Sequence, residues 1–286
     1  ELERAGVTVI YGLKNLKVHA KALMVIRRES DNIRRYVHLA TGNYNPKTAK
    51  LYSDISLFTS NPQIANAVTM LFNLVTGYST LQNMTSLAMA PVTLKSRLIS
   101  MINREIERST PDNPGLIIAK MNSLTHEEVI AALYKASQAG VKILLNVRGI
   151  CMLVPGVEGL SENIRVTSIV DRYLEHARIF YFQNGGNPEL YCASADWMNR
   201  NLDRRIELMF PILDKAAFDD VKSILDTYFK DNTNALELQS NGSWAVCERG
   251  KKETAIQAQA ELYKKYKKID ETKPKSSEKQ FEVRRK

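Results

Sequence analysis

The sequence has little cysteine and no long hydrophobic run. Its three cysteines, Cys151, Cys192 and Cys247, show no CxxC spacing, which argues against a structural zinc site and favours a reducing compartment. No apolar run approaches the roughly 18 residues that a membrane span needs, and no signal peptide is evident. We therefore expect a cytoplasmic protein without a transmembrane segment. Because the sequence begins at Glu1, within an amphipathic pattern, we also expect it to be a piece of a longer protein.

Two common nucleotide-binding motifs are also missing. The sequence contains neither the Walker loop GxxxxGK[ST] nor the glycine-rich GxGxxG of protein kinases. Their absence disfavours an ordinary P-loop or protein-kinase mechanism. Any phosphate chemistry must therefore be carried by other side chains.

The bulk composition predicts about two globular domains with a basic surface. At 286 residues and 44% apolar content, the chain is long enough for a substantial core. The formal net charge of +9 suggests a polyanionic partner. Part of that charge lies in residues 263–286, which are rich in Lys and Glu, and we interpret residues 271–286 as a flexible tail. A polyanion-binding arm is the alternative interpretation of this end.

One unusual pattern occurs twice. Each copy contains a histidine, a cation two residues later, a polar turn and then an acid. In both copies the acid follows the third turn residue by eleven positions. The first copy is His19-x-Lys21, Thr41-Gly42-Asn43-Tyr44-Asn45 and Asp54, and the second is His176-x-Arg178, Ser194-Ala195-Asp196-Trp197-Met198-Asn199 and Glu207. If the two copies face each other, they form a phosphate-handling site with a histidine nucleophile.

The residue types in the repeat suit phosphoryl transfer. Neutral imidazole is abundant near pH 7 and attacks phosphorus readily, so His19 and His176 are candidate catalytic residues. One histidine can attack while the other acts as a general acid on the leaving oxygen. A carboxylate must hold the other ring nitrogen of the nucleophile, and Asp54 or Glu207 could play that part.

Cations and amides complete the predicted site. Lys21 and Arg178 are candidates to neutralise phosphate oxygens, Arg through a bidentate contact and Lys as a point charge. Asn43, Asn45 and Asn199 could donate hydrogen bonds to the same oxygens. We interpret the remaining histidines, His38 and His126, as structural, and Trp197 as a core residue.

Hydrophobic patterning predicts an α/β chain. His19 and Lys21 share a face of a strand over 18–28, because side chains alternate along a strand. Asn61 and Pro62 indicate the start of a helix, and Thr125 with Glu128 indicates a capping box before another. A strand, a helix and a strand over 116–147 imply a parallel pair, with Arg148 at the carboxyl end where anions bind. The predicted strands are 7–11, 18–28, 34–40, 55–59, 116–120, 141–147, 166–170, 179–183, 190–194 and 206–213, and the predicted helices are 62–76, 94–108, 125–139, 215–228 and 254–268.

The repeat resembles the phospholipase D superfamily, and a longer set of motifs resembles the C-terminal catalytic domains of bacterial polyphosphate kinases. The resemblance runs from near residue 1 to about residue 270. It implies two phospholipase D-like α/β domains, with mixed sheets flanked by helices and a pseudo-twofold relation. We expect these at residues 1–85 and 86–270. The matching segments are 18–21, 41–46, 51–54, 147–151, 175–178 and 194–201.

The resemblance also implies an activity and site roles. That family moves the terminal phosphate of ATP reversibly onto a polyphosphate chain, with Mg²⁺, through a phosphohistidine. His19 matches the phosphorylated histidine, and His176 matches a second histidine that acts as a general acid and contacts the nucleotide. Tyr52 and Arg148 match ATP-contacting residues. No protein ligand for the metal is assigned, since Mg²⁺ usually keeps waters and phosphate ligands.

The implied partners are ATP or ADP and inorganic polyphosphate, with a homo-oligomeric assembly and no specific nucleic acid. The family also allows peripheral association with the inner membrane. Two other functions remain open at this point. One is a phospholipase D-like phosphodiesterase acting on lipid or nucleic acid, which would need neither ATP nor Mg²⁺. The other is a non-catalytic polyanion-binding module, which would bind with strong salt dependence and transfer nothing.

Overall fold

A large mixed β-sheet, built mostly by the second half of the chain, organises the molecule. The computed structural model describes residues 1–12, 16–77, 84, 86–247, 249–250 and 252–272. Within them the strands are β1 Lys17–Val18, β2 Ala22–Arg28, β3 Ile33–Ala40, β4 Tyr52–Ser53, β5 Ser56–Thr59, β6 Ala88–Ala90, β7 Leu116–Met121, β8 Lys142–Val147, β9 Ile164–Ile169, β10 Leu174–Glu175, β11 Arg178–Phe182, β12 Glu189–Ala193, β13 Arg205–Pro211, β14 Ala235–Leu238 and β15 Trp244–Val246. The helices are α1 Pro62–Val75, α2 Leu94–Arg108, α3 Glu127–Gln138, α4 Asn199–Arg204, α5 Lys215–Phe229 and α6 Ala258–Thr272.

Ten of these strands form one sheet in the order β1-β13-β12-β11-β7-β8-β9-β14-β15, with β6 also paired to β13. The β7-β8-β9 part is parallel, as the strand–helix–strand pattern predicts. The first half contributes an antiparallel sheet in the order β2-β3-β5, and β4 pairs with β10 in a two-stranded sheet. The predicted α/β class with mixed sheets and flanking helices is thus confirmed.

The large sheet has an apolar core on each face. Alternate residues of β11 point to opposite cores: Phe180 and Phe182 pack with α2 and α3, whereas Ile179 and Tyr181 pack with α1 and α5. Because both faces are covered, the central strands are continuously apolar instead of alternating. Trp197 is fully buried with its ring 4.9 Å from that of Phe180, which confirms its interpretation as a core residue.

Several element boundaries match the patterning closely. The helix over 94–108 has the bounds predicted, and α1 begins after Asn61, whose side-chain oxygen accepts from the amides of Gln63 and Ile64 at 2.9 and 3.3 Å. Pro62 costs nothing at the first helical position, since its missing N–H would have no helical partner there. Local capping chemistry therefore fixes this helix start.

Other predictions of elements are wrong. Residues 7–11 form no strand, and the strand expected over 18–28 is interrupted at residues 19–21. The Thr125 capping box does not form, because the amides of Thr125 and His126 both donate to the carbonyl of Trp197. The helix begins at Glu127, one residue later than an N-cap at Thr125 would place it. Strand β6, which pairs with β13, lies outside all of the predicted strands.

The proposed domain limits at residues 85 and 270 stay predictions, and most of the predicted tail lies outside the described residues. None of the described helices is long and apolar enough to cross a membrane.

Candidate active site

Both histidines of the repeat follow a short strand that pairs with the other half of the chain. His19 follows β1, which runs parallel to β13. The amides of His19 and Ala20 both donate to the carbonyl of Ile206, at 2.9 and 3.0 Å. Two successive amides on one acceptor break the regular ladder, which explains why the strand expected over 18–28 is interrupted here.

The second histidine repeats this arrangement. His176 follows β10, which runs parallel to β4. The amides of His176 and Ala177 both donate to the carbonyl of Ser53, at 3.2 and 3.0 Å. Each carbonyl that receives the two amides belongs to the residue just before an acid of the repeat, Ile206 before Glu207 and Ser53 before Asp54.

The histidine–acid pairs are therefore crossed between the halves. Nδ1 of His19 lies 2.8 Å from Oε2 of Glu207, and Nδ1 of His176 lies 2.8 Å from Oδ1 of Asp54. A carboxylate only accepts hydrogen bonds, so each pair holds a proton on Nδ1 and leaves Nε2 of the ring for chemistry. The spacing of the repeat did not indicate which acid contacts which histidine.

Hydroxyl groups of the polar turns hold the two acids in place. Thr41 Oγ1 donates to Oδ1 of Asp54 at 2.9 Å and accepts from the amide of Ile55 at 3.0 Å. Ser194 Oγ donates to Oε2 of Glu207 at 2.5 Å and accepts from the amide of Leu208 at 3.0 Å.

Glu207 is fully buried and accepts a further bond, at 2.5 Å, from the side-chain amide of Asn201. Thr41, Ser194 and Asn201 had no predicted role, although the two hydroxyl residues occupy equivalent positions in the repeat and could have been found from it.

Lys21 is an unpartnered cation at the centre of this arrangement. Its side chain is buried, and Nζ has no hydrogen-bond partner among the described residues. Burial lowers the pKa of Lys21 from 10.5 to about 8, despite the opposing pull of Glu207 and Asp54. Since Lys21 interacts with acids from both halves, the two copies of the repeat converge on one site. An anion there would supply the missing acceptor.

Arg178, the counterpart of Lys21, is instead fully engaged by the protein. Its Nε and Nη2 each lie 3.1 Å from the carboxylate of Asp196, and Nη1 donates to the carbonyls of His176 and Thr41 at 2.7 and 3.3 Å. Nη1 also lies 3.2 Å from both ring nitrogens of His176. This guanidinium places positive charge directly beside the second histidine.

The electrostatic setting of His176 follows from these neighbours. Burial, together with the charge of Arg178, lowers the pKa of His176, and the hydrogen bond to Asp54 opposes that shift. A lowered pKa makes the protonated imidazole a stronger acid. His176 is buried, whereas the side chain of His19 is 27% exposed and so is the more accessible of the two rings.

Tyr52 and Arg148 both lie beside His176. The Tyr52 ring centroid is 4.9 Å from that of His176. Arg148 follows β8, and its Nε donates to the carbonyl of Glu175 at 2.9 Å and to Oδ1 of Asn122 at 3.2 Å, where Nη2 donates as well. The residues matched to nucleotide contacts therefore cluster around the second histidine.

The three asparagines of the predicted phosphate site are exposed. The side-chain oxygen of Asn45 accepts from the amides of Lys47 and Thr48, at 2.9 and 3.2 Å, and so closes the turn before a short helix. Asn199 begins α4. Phosphate binding by Asn43, Asn45 and Asn199 stays a prediction.

The fold and the site define an α/β protein in which two copies of one motif converge through crossed histidine–acid pairs. Two family models match this chain: "Polyphosphate kinase C-terminal domain 1" over residues 1–81 and "Polyphosphate kinase C-terminal domain 2" over residues 87–259. The chain therefore belongs to the polyphosphate kinase family, as the resemblance implied.

Individual relatives agree with this assignment. The polyphosphate kinase of Rhodopirellula baltica is 52% identical over 92% of this chain, and that of Synechocystis sp. is 52% identical over 85% of it. The crystal structure of polyphosphate kinase from Porphyromonas gingivalis superposes with a TM-score of 0.88 and 38% identity, over 95% of this chain and 42% of that one. The chain spans about a third of the length of the curated relatives, 31% and 34% of these two.

Proposed function

We propose that this chain forms the catalytic centre of a polyphosphate kinase, which transfers the γ-phosphate of ATP reversibly to the end of an inorganic polyphosphate chain through a phosphohistidine. The observation that carries the proposal is the pair of crossed histidine–acid contacts around the unpartnered, buried ammonium of Lys21. Family membership supports the same reaction.

His19 is the nucleophile in this mechanism. Because Nδ1 is held by Glu207, Nε2 attacks the γ-phosphorus, and the bond from that phosphorus to the bridging oxygen of ADP breaks. Glu207 stabilises the positive charge that develops on the ring. His176 gives its proton to the departing ADP oxygen as a general acid.

The second half-reaction reverses these roles. The terminal oxygen of polyphosphate attacks the phosphorus on His19, its proton passes to His176, and the bond between phosphorus and Nε2 breaks. The products are free His19 and a polyphosphate chain longer by one phosphate. One site can therefore run the reaction in both directions.

Positive charge for the phosphates comes from two sources. Lys21 offers a free ammonium, and binding of a phosphate oxygen would restore the solvation that burial removes. The donors of Arg178 are already occupied, so we assign it a charge effect on the phosphates and on His176. Tyr52 and Arg148 would contact ATP beside His176, and Asn43 and Asn45 would donate to phosphate oxygens from the turn.

Mg²⁺ would enter with ATP and would neutralise charge on the phosphates. The site's two repeat acids already accept hydrogen bonds from the histidines, and no group of three acidic, His or Cys side chains among the described residues is placed to hold a metal. The donor set therefore suits a metal that keeps its nucleotide and water ligands. A homo-oligomeric assembly and a cytoplasmic location, with peripheral contact to the inner membrane, are carried over from the family as further proposals.

The test is transfer of label from γ-labelled ATP in the presence of Mg²⁺. We expect acid-labile, base-stable label on the protein that chases onto polyphosphate, and its loss in His19→Ala. His38→Ala is the matched control, because His38 contacts Tyr44 and Phe58 outside the paired site. If the folded chain takes no label, the assay is repeated with a protein of the relatives' full length, and no label there would contradict the proposal.

A further inference from the structure

Gln259, near the start of α6, makes three hydrogen bonds to the segment that precedes His176. Its Nε2 donates to the carbonyl of Tyr173 at 2.8 Å and to Oε1 of Glu175 at 2.6 Å, and its Oε1 accepts from the amide of Tyr173 at 2.9 Å. The side-chain amide thus pairs with the Tyr173 backbone much as a neighbouring strand would. Gln259 is itself buried, so these bonds form away from water.

The Glu175 carboxylate, which Gln259 contacts at Oε1, is paired at its other oxygen with a buried lysine. Nζ of Lys120, on β7, lies 3.0 Å from Oε2 of Glu175 and donates to the carbonyl of Ala177 at 3.4 Å. Ser53 Oγ also donates to Oε2 of Glu175, at 2.9 Å. Lys120 and Glu175 are both about 1% exposed. The residues on either side of His176 are therefore fixed by side chains that do not touch the reacting atoms.

No such arrangement precedes His19 among the residues that the structure describes in the first half of the chain. Val18 precedes His19 as Glu175 precedes His176, yet Val18 is 48% exposed and has no carboxylate. The two short strands are otherwise alike, because β1 pairs with β13 as β10 pairs with β4. The repeat alone therefore does not require the Gln259 contacts, which are particular to the second histidine.

We propose that Gln259 is a positioning residue for His176, acting through its hydrogen bonds to the Tyr173 backbone and to the Glu175 carboxylate, which Lys120 holds in turn. In this way α6 sets where the imidazole of His176 stands relative to Asp54. The expected effect of Gln259 on catalysis rests on the general-acid role of His176 in the proposed function. Its expected effect on the position of the His176 ring does not.

The first experiment follows the ring nitrogens of the four histidines by NMR in the ¹⁵N-labelled chain, as a function of pH. In Gln259→Leu we expect the His176 signals to shift and their titration midpoint to rise by about 0.5 pH unit or more, because looser positioning relieves the burial that disfavours the charged ring. Among the described residues, the charges that act on His176 are those of Asp54, Arg178 and Asp196, and the titratable ring of Tyr52 lies 4.9 Å from it. The substitution changes none of these groups.

Two controls make this measurement specific. His19 lies in the same molecule and its signals should not move. Gln257→Leu removes a bond of 2.8 Å from the same end of α6 to Asp171, which lies outside the Tyr173–Glu175 segment, and it should leave all four histidines unchanged. Unaltered His176 signals in Gln259→Leu, with the protein folded, would overturn the proposal.

The second experiment is a double-mutant cycle in the phosphate-transfer assay. Gln259→Leu should lower kcat by about 10- to 100-fold with a smaller change in KM for ATP, and it should cost nothing further in the His176→Asn background. An equal loss in both backgrounds would mean that Gln259 does not act through His176. If His176→Asn itself transfers phosphate like the unmodified chain, the proposed function fails, while the NMR measurement still decides the positioning role.

Discussion

At the scale of single residues, the site contains a buried ammonium group, that of Lys21, to which the described part of the chain offers no hydrogen-bond acceptor. Lys21 is buried without a hydrogen-bond partner among the described residues, and its pKa falls to about 8 as a result. Arg178, in the same position of the other repeat, is paired with Asp196. The two cations therefore differ in their contacts: the donors of Arg178 are bonded to the protein, whereas the ammonium of Lys21 is bonded to none of the described residues.

We expect Lys21→Met to make the protein more stable and less active. A pKa that falls from 10.5 to about 8 on folding means that folding disfavours the protonated form, so the penalty is fully present below pH 8 and disappears as the pH rises to 10.5. Methionine fills similar space without this cost. The free energy of unfolding at pH 7 should rise by about 1–3 kcal/mol, measured by urea denaturation, while phosphate transfer is lost.

The control for this prediction is Lys17→Met, which changes an exposed lysine on β1 and should leave the stability unchanged. The unmodified chain should also gain more stability than Lys21→Met between pH 8 and 10.5. If Lys21→Met is less stable at pH 7, the ammonium is better solvated in the protein than its burial indicates.

The residues of this site could be predicted because the repeat marks them, but their connections could not. His19, His176, Asp54 and Glu207 stand out by type and spacing in the sequence. Which acid serves which histidine depends on the pairing of β1 with β13 and of β10 with β4, across more than 100 residues of chain. Spacing within a repeat carries no information about such contacts between repeats.

At the scale of elements, one buried carboxylate joins three of them. Asp231 follows α5, and its Oδ1 accepts from the amides of Thr233, Asn234 and Ala235, at 2.8 to 3.1 Å, where β14 begins. Its Oδ2 accepts from the amide of Ala258, at 2.7 Å, where α6 begins. The position of α6, and with it that of Gln259, therefore depends on Asp231.

Asp231→Ala should loosen α6. The substitution leaves four backbone amides without their acceptor in a site that is 4% exposed, so we expect the free energy of unfolding to fall by about 2–4 kcal/mol. Limited proteolysis should cut within α6 first. Asp219→Ala, at an exposed aspartate paired with Lys215 on α5, is the matched control. Equal stability of the two variants would show that these bonds are replaced by water at little cost.

Elements were predictable where local chemistry decides them. Asn61 with Pro62 fixes the start of α1, and apolar spacing fixes α2. The strand interruption at His19 arises instead from the distant carbonyl of Ile206, and the later start of α3 arises from the distant carbonyl of Trp197. β6 is only three residues long and pairs with the distant strand β13. In each case a long-range backbone contact outweighs the local pattern.

At the scale of the whole molecule, the repeat shows where the first half differs from the second. Leu23 and Val25 follow His19 as Phe180 and Phe182 follow His176. The two phenylalanines are fully buried against the core under α2 and α3. Leu23 and Val25 are 48% and 45% exposed, although β2 presents them on the corresponding face of its sheet.

Together with Tyr36 and Phe58, which is 80% exposed, Leu23 and Val25 form an apolar outer face on the β2-β3-β5 sheet. A groove of about 290 Å³ runs along it. Nothing in the described part of the chain covers this face as α2 and α3 cover its counterpart. Contiguous exposed apolar surface of this kind promotes association and binds hydrophobic dyes.

We therefore expect the 286-residue chain to bind the dye ANS while folded and to associate as its concentration rises. Phe58→Ser, which removes the most exposed large side chain of the face, should lower both the dye fluorescence and the association measured by sedimentation velocity. Val170→Ser is the control, because Val170 is 73% exposed but directly follows β9 of the large sheet. Equal effects of the two substitutions would mean that exposed apolar area in general, and not the outer face of the first repeat, causes the association.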